Sequence, residues 1–291
     1  MNLSCLLHYI QKEDDKHMKK AVIWQIKAIC SRKAPIVMFL FLYAYVLLNY
    51  LTNVFRFSGT DVTDMYMPMY LLVLSNDNDA FHFFFMQYFP LLVVLPASFA
   101  YLQDKSSREL NYLAVRMGRR RYYVSKGIAV FLVSFVVFTV PFLLEIVLNC
   151  IAFPMDAIGN MRNINNYELM ENFERMFLFE LFCVSPYLYV ILFTLIFGVV
   201  AGILSVFALA VSMLMMRYKI FVFLPCYLLL HGLYYLKHFP ELQMAETSYF
   251  AYLGIFNTAP KSGAGYLMVV VLVALASVVI VHVKGKRDCL C

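Results

Sequence analysis

Apolar positions in this chain come in long unbroken runs, not with the period of a surface helix or a half-buried strand. Five runs are plain: Ala34–Phe55, Phe83–Leu102, Gly127–Phe153, Ile220–Leu236 and Ala264–Val283. Each has the roughly 20 apolar residues that a helix needs to cross a bilayer. A sixth region, Met176–Met216, is interrupted only by Glu180 and Pro186 and has room for one long span or two. Between the first two runs, Met65–Leu74 is apolar but too short to cross, which predicts a surface-seeking or re-entrant segment. Ahead of the first run, Met18–Lys33 reads as an amphipathic helix. At 100° per residue Val22, Ile23, Ile26, Ile29 and Cys30 share one arc, Lys20 and Lys27 fall outside it, and Trp24 is the only tryptophan. Such a helix lies in the headgroup layer before the first span.

Composition agrees with the pattern. Of 291 residues, 63% are hydrophobic and 14% charged, far from the balance of a soluble domain. Soluble enzyme, nucleic-acid binder and disordered tail are thereby excluded. Charge then settles the ambiguous region. With one span there, six helices place both termini on the inner side. Lys and Arg on that side are seven before Ala34, seven between Gln103 and Lys126, Arg217 and Lys219, and Lys284, Lys286 and Arg287: 19 in all, against five outside. Two spans would leave 16 inside and eight outside, a weaker fit to the positive-inside rule. With the acidic residues counted, six spans put +13 inside and −7 elsewhere. The expected fold is an all-α integral membrane protein with cytoplasmic termini. Its N-terminal segment is 1–33, and its single transmembrane domain, 34–291, has spans near 34–55, 83–102, 127–153, 186–216, 220–236 and 264–283. Residues 176–185 form an interfacial or re-entrant piece on the outer side.

Catalytic motifs are scarce. No Gly-x-x-x-x-Gly-Lys-Ser/Thr loop is present, so the chain does not bind ATP in the P-loop manner. No His-Glu-x-x-His and no Gly-x-Ser-x-Gly occurs, so neither a metal-dependent intramembrane enzyme nor a hydrolase elbow is supported. No cofactor or metal is implied. The seven cysteines read as unpaired thiols.

Three features stand out. The inner loop 103–126, QDKSSRELNYLAVRMGRRRYYVSK, begins as a helix with Leu110 and Leu113 on one side and continues into the basic run Arg116-Met117-Gly118-Arg119-Arg120-Arg121. Basic residues here also suit anionic lipid headgroups. Glu145 lies inside the third span, about eight residues or ~12 Å of helix from Phe153. An intramembrane carboxylate is a functional-site candidate: Glu145 either snorkels or bonds a neighbouring helix, or lies with Asn149 on a translocation path. Gly198-x-x-x-Gly202, continued by Ala201 and Ser205, is a small face for close helix packing, within the chain or on a second copy.

The loop resembles that of permease subunits of type-two ABC exporters. In that family a cytoplasmic loop after the second span begins with Asp, forms a short coupling helix and ends in a Ser-Arg-x-x-Tyr-x-x-x-Lys-like entry to the third span. Here Asp104, Arg108 to Leu113, and Arg119 through Tyr122, Tyr123, Val124, Ser125 and Lys126 stand in those places. The match covers about 24 residues as motif and most of the chain as architecture. Arg116-Met117-Gly118 stands where the family often has Pro-Ile/Val-Ser. The resemblance implies a membrane-spanning, non-enzymatic permease. A separate ATP-binding ABC subunit would drive it, and it would pair with a second permease chain, the same or homologous. Export of a peptide, drug or lipid-like substrate by alternating access from a bacterial plasma membrane is also implied. Coupling residues carried over are Asp104, Arg108, Glu109, Leu110, Leu113, Arg116, Arg119, Arg120, Arg121 and Lys126, with Leu110 and Leu113 inserting into the ATPase. The alternatives are a non-ABC carrier, or a membrane scaffold or sensor, whose mark is paired intramembrane charge. Nucleic acid is not an expected partner.

Overall fold

A computed structural model describes residues 3–61, 65–75, 79–154, 178–215, 219–236, 249–255 and 264–287. Residues 155–177, which include the start of the ambiguous Met176–Met216 region, lie outside the described residues, as do 237–248, 256–263 and 288–291. Among the described residues there is no strand. The helices are α1 (Leu3–Cys30), α2 (Lys33–Arg56), α3 (Asp79–Leu92), α4 (Ala100–Ser106), α5 (Glu109–Met117) and α6 (Arg119–Ala152). They continue as α7 (Phe179–Val184), α8 (Pro186–Met215), α9 (Phe223–Leu236), α10 (Tyr249–Leu253) and α11 (Ala264–Arg287).

Among the described residues four helices are long and apolar enough to cross a membrane: Lys33–Arg56, Arg119–Ala152, Pro186–Leu214 and Gly265–Lys284. Half or more of the second and third is buried, against 28% and 17% of the outer two, so α6 and α8 form the centre. The chain is therefore a multi-pass membrane protein by its helices. The expected spans at 83–102 and 220–236 are not uniform helices. The 14 residues of α3 reach only ~21 Å, short of a ~30 Å hydrocarbon core. Proline explains the break: Pro90 is inside α3, Pro96 follows, and neither has an N–H to continue a helix. The chain turns through 93–99 and resumes as α4. α9 is likewise 14 residues, entered through a 3₁₀ turn at Lys219–Val222.

Irregular backbone at such depth requires hydrogen-bond partners from the protein. For 93–99 they come from turns and from α8. Ser205 Oγ donates to Val93 O at 2.5 Å and Ser98 Oγ donates to Ser205 O at 3.0 Å. The short helix is also fastened by rings. Phe85 and Phe89 of α3 meet Phe138 and Phe142 of α6 and Phe197 of α8, with centroids 5.1–6.2 Å apart.

α1 starts earlier than the expected amphipathic helix, and its orientation differs too. Ala21, Gln25 and Ile29 are buried, one turn apart each, and α1 packs along α6. Ile23 and Trp24 remain outward beside the exposed Lys20 and Lys27. The apolar arc is thus shared between bundle and surroundings.

Candidate functional site

Asp104 enters α4 one turn after the proline break, and its side chain is 1% exposed. Oδ1 accepts from Arg32 Nη2 at 2.5 Å, and Oδ2 accepts from Lys126 Nζ at 2.7 Å and from the Tyr122 hydroxyl. Arg32 Nη1 also donates to Ala100 O (3.1 Å) and Gln103 Oε1 (2.6 Å). Lys126 Nζ also donates to Gln25 Oε1 at 2.9 Å, while Gln25 Nε2 is buried without a hydrogen-bond partner. Tyr122 and Lys126 are four apart on α6, hence on one face. Burial alone would raise the Asp104 carboxyl. The Lys126 ammonium, with hydrogen bonds from Lys126, Tyr122 and Arg32, outweighs it and holds the group below its ordinary value. One carboxylate thus joins the α1–α2 junction, the start of the basic loop and the first turns of α6.

The loop between these anchors is a short helix with unusual ends. Arg108, its N-cap, has φ 60°, and Gly118 has φ 82° and ψ 131°, a conformation that suits glycine. Within α5, Leu113 and Ala114 are buried and Leu110 packs on the core. Leu113 and, in part, Leu110 therefore hold α5 to the bundle. The outward apolar side chains are Tyr112 and Val115, 65% and 80% exposed. Asp104 and Lys126 are buried and paired with each other at 2.7 Å. Arg108, Glu109, Arg116 and Arg120 are exposed, and Arg119 and Arg121 half-buried.

Glu145 is 1% exposed and bonds both a neighbouring helix and an inserted segment. Residues 65–75 are folded inward with a 3₁₀ turn at Pro68–Leu71, and Pro68, Met69 and Leu71 through Ser75 are buried. Side chains meet the backbone of this inserted segment from several helices. Asn49 and Asn53 Nδ2 donate to Leu71 O at 2.8 and 2.9 Å, and Val73 N donates to Glu145 Oε1 at 2.9 Å. Asn49 Nδ2 also donates to Glu145 Oε1 at 2.7 Å. His82 Nδ1 donates to Val73 O at 3.1 Å, and Ile255 N donates to Leu74 O at 2.9 Å. The carboxylate is a clamp on irregular backbone. Asn149, one turn on, donates to Glu145 O at 3.1 Å, and its buried Oδ1 has no hydrogen-bond partner.

Gly198 and Gly202 face α6. A Cβ at Gly198 would collide with Thr139 Oγ1, and one at Gly202 would lie 2.7 Å from the Phe131 ring and 3.2 Å from Phe131 O. The small face belongs to the contact between α6 and α8 within one chain.

Sequence reasoning missed Arg32, Gln25, Asn49, Asn53, Tyr112 and Val115. The pair Asn49 and Asn53, four apart in an apolar run, was a readable signal of polar business on one helix face. Arg32 gave none, because its partner is 72 positions away. Comparison with protein-family models, with curated proteins and with solved structures returned no match.

Proposed function

We propose that the chain is the permease subunit of an ATP-driven ABC exporter in a bacterial plasma membrane, and that it is driven through α5 by a separate ATP-binding subunit. The observation that carries this reading is the mounting of α5. Its inner side is anchored by Leu113, its two flanks are tied through Asp104 and Lys126, and it presents Tyr112 and Val115 outside the membrane-length helices. Two apolar side chains ringed by Arg108, Glu109 and Arg116 suit the rim and centre of a protein contact. A subunit without a nucleotide site needs such a rigid lever.

In this reading the chain crosses six times. α2, α6, α8 and α11 span outright, α3 with its turn and α4 makes the second crossing, and the segment with α9 makes the fifth. Both termini and the basic loop are cytoplasmic, where the Lys and Arg excess belongs. Two permease chains and two ATPase subunits make the working exporter, and its cargo is a peptide, drug or lipid-like molecule. A carrier driven by ion binding loses its best candidate, because Glu145 is occupied by Val73 and Asn49.

The test is co-purification with a Walker-motif ATPase encoded beside this gene. The wild-type chain should retain the ATPase, and Tyr112→Glu with Val115→Glu should lose it without loss of folded protein. Retention by the double variant would sink the assignment of the surface, and the absence of any ATPase partner would sink the exporter reading.

A further inference from the structure

The two cations on Asp104 are not equivalent. The Lys126 side chain is 1% exposed, and its Nζ has only Asp104 and Gln25 as hydrogen-bond acceptors. Parting it from Asp104 strands an ammonium in the interior, the costly way to break a buried pair. The Arg32 side chain is 22% exposed, at the edge of the network. It can turn into water and be rehydrated there, and Asp104 then still holds Lys126 and Tyr122.

Position gives this asymmetry a consequence. Arg32 occupies the non-helical joint between α1 and α2, with φ −88° and ψ 152°. Among the described residues its three hydrogen bonds run to α4: Ala100 O, Gln103 Oε1 and Asp104 Oδ1. α4 itself packs mainly on α5 and α8, so this one guanidinium is its chief tie to the α1–α2 joint. The tie to α6 is separate and runs through Tyr122 and Lys126. We propose that Arg32 is a releasable strap. Seated, it fastens α4 and α5 to the α1–α2 joint; released, it frees them from that joint while the Asp104–Lys126 pair keeps them on α6. The basic loop then has two postures that differ by the half-buried Arg32–Asp104 pair; the α1–α2 joint is fastened to it directly only in the first, while α1 keeps the bond from Lys126 to Gln25 in both.

The strap concerns the loop's mounting and holds whatever partner α5 meets. Hydrogen exchange read by mass spectrometry on the full chain in phosphatidylcholine nanodiscs tests it without any ATPase. Arg32→Gln should speed amide exchange in 100–117 by about tenfold and leave 122–126 and α8 as in the wild type. Raising salt to about 0.5 M should move wild-type 100–117 in the same direction and leave Arg32→Gln unchanged. Lys126→Met should instead loosen 100–117 and 119–126 together. The proposal is overturned if Arg32→Gln leaves 100–117 at the wild-type rate. It is also overturned if 122–126 opens as much, or if the variant unfolds through α8, because a strap is dispensable for the fold.

Discussion

Alanine at Gly198 is the sharpest probe of how the centre of the bundle is built. The new Cβ would overlap Thr139 Oγ1 and approach the Phe135 ring to 3.2 Å. Thr139 must rotate in a buried site or α8 must back away from α6, and overpacking of this kind costs roughly 1–3 kcal/mol. The obstacle is one side-chain atom, and that hydroxyl has no hydrogen-bond partner to lose. Thr139→Ala alone should therefore cost only about the transfer of a methyl, ~0.8 kcal/mol. In the double variant the added methyl enters the space the threonine leaves, so the two changes should be non-additive by about 1–2 kcal/mol in the favourable direction. Gly202→Ala is the control. Its Cβ would meet the Phe131 ring at 2.7 Å and also the Phe131 carbonyl at 3.2 Å, which no side-chain replacement removes. The assay is thermal unfolding, in one detergent, of a purified chain whose cysteines other than Cys226 are replaced by serine, followed by a thiol-reactive dye that gains access to the buried Cys226. At about 2–4 °C per kcal/mol the single variant should lose roughly 2–12 °C of Tm. Thr139→Ala should return part of that at Gly198 and none at Gly202. A Gly198→Ala chain as stable as wild type would refute the internal contact and return the small face to a second chain.

Three further outcomes follow from the polar clusters and the loop. Glu145→Gln keeps an oxygen for Val73 N–H and Asn49, so its Tm should stay near wild type; Glu145→Leu strands the Val73 N–H and removes one of the bonds from Asn49, and should lose roughly 1–3 kcal/mol in the same assay. Asp104 lies below its ordinary carboxyl value of 3.8, so its stabilisation is complete above that value and is lost as pH falls through the depressed one. Acid titration of Tm should show that loss in the wild type. Asp104→Asn should show no such acid step, having already lost about 3–5 kcal/mol at neutral pH by leaving two cations without their anion. Gly118→Ala meets no atom within 4 Å, so its cost is backbone strain of about 1–3 kcal/mol at φ 82°. The joint should relax and re-aim α5, and capture of an ATPase should fall more than Tm does.

The four long helices were legible because a membrane span is a local property: length and hydropathy decide it, and no partner is needed. Where the expectation departed from the structure, a tertiary contact had overridden the local pattern. Residues 83–102 are as apolar as a span, yet Pro90 and Pro96 break them. The break is tolerable only because Ser205, more than a hundred positions on, supplies hydrogen bonds. Leu110 and Leu113 show the same limit on a smaller scale. Helical spacing said that they share a face, and it could not say that the face turns toward the bundle.

The polar residues of the apolar runs make one physical pattern when taken together. Individually, Asn49, Asn53, Ser98, Glu145 and Ser205 look like functional candidates, since polar groups in lipid are costly. In the fold they answer the two stretches of irregular backbone, 65–75 and 93–99, whose carbonyls and amides have no water to bond. The carboxylate at Glu145 is the extreme case: one oxygen accepts from a backbone amide and a side-chain amide at once. The charges at Asp104, Arg32 and Lys126 answer no backbone of that kind, apart from the single bond from Arg32 to Ala100 O. They join elements that would otherwise be free to move past one another. Polarity in the apolar runs of this chain therefore serves the fold, and the buried charge is gathered where the basic loop meets the bundle.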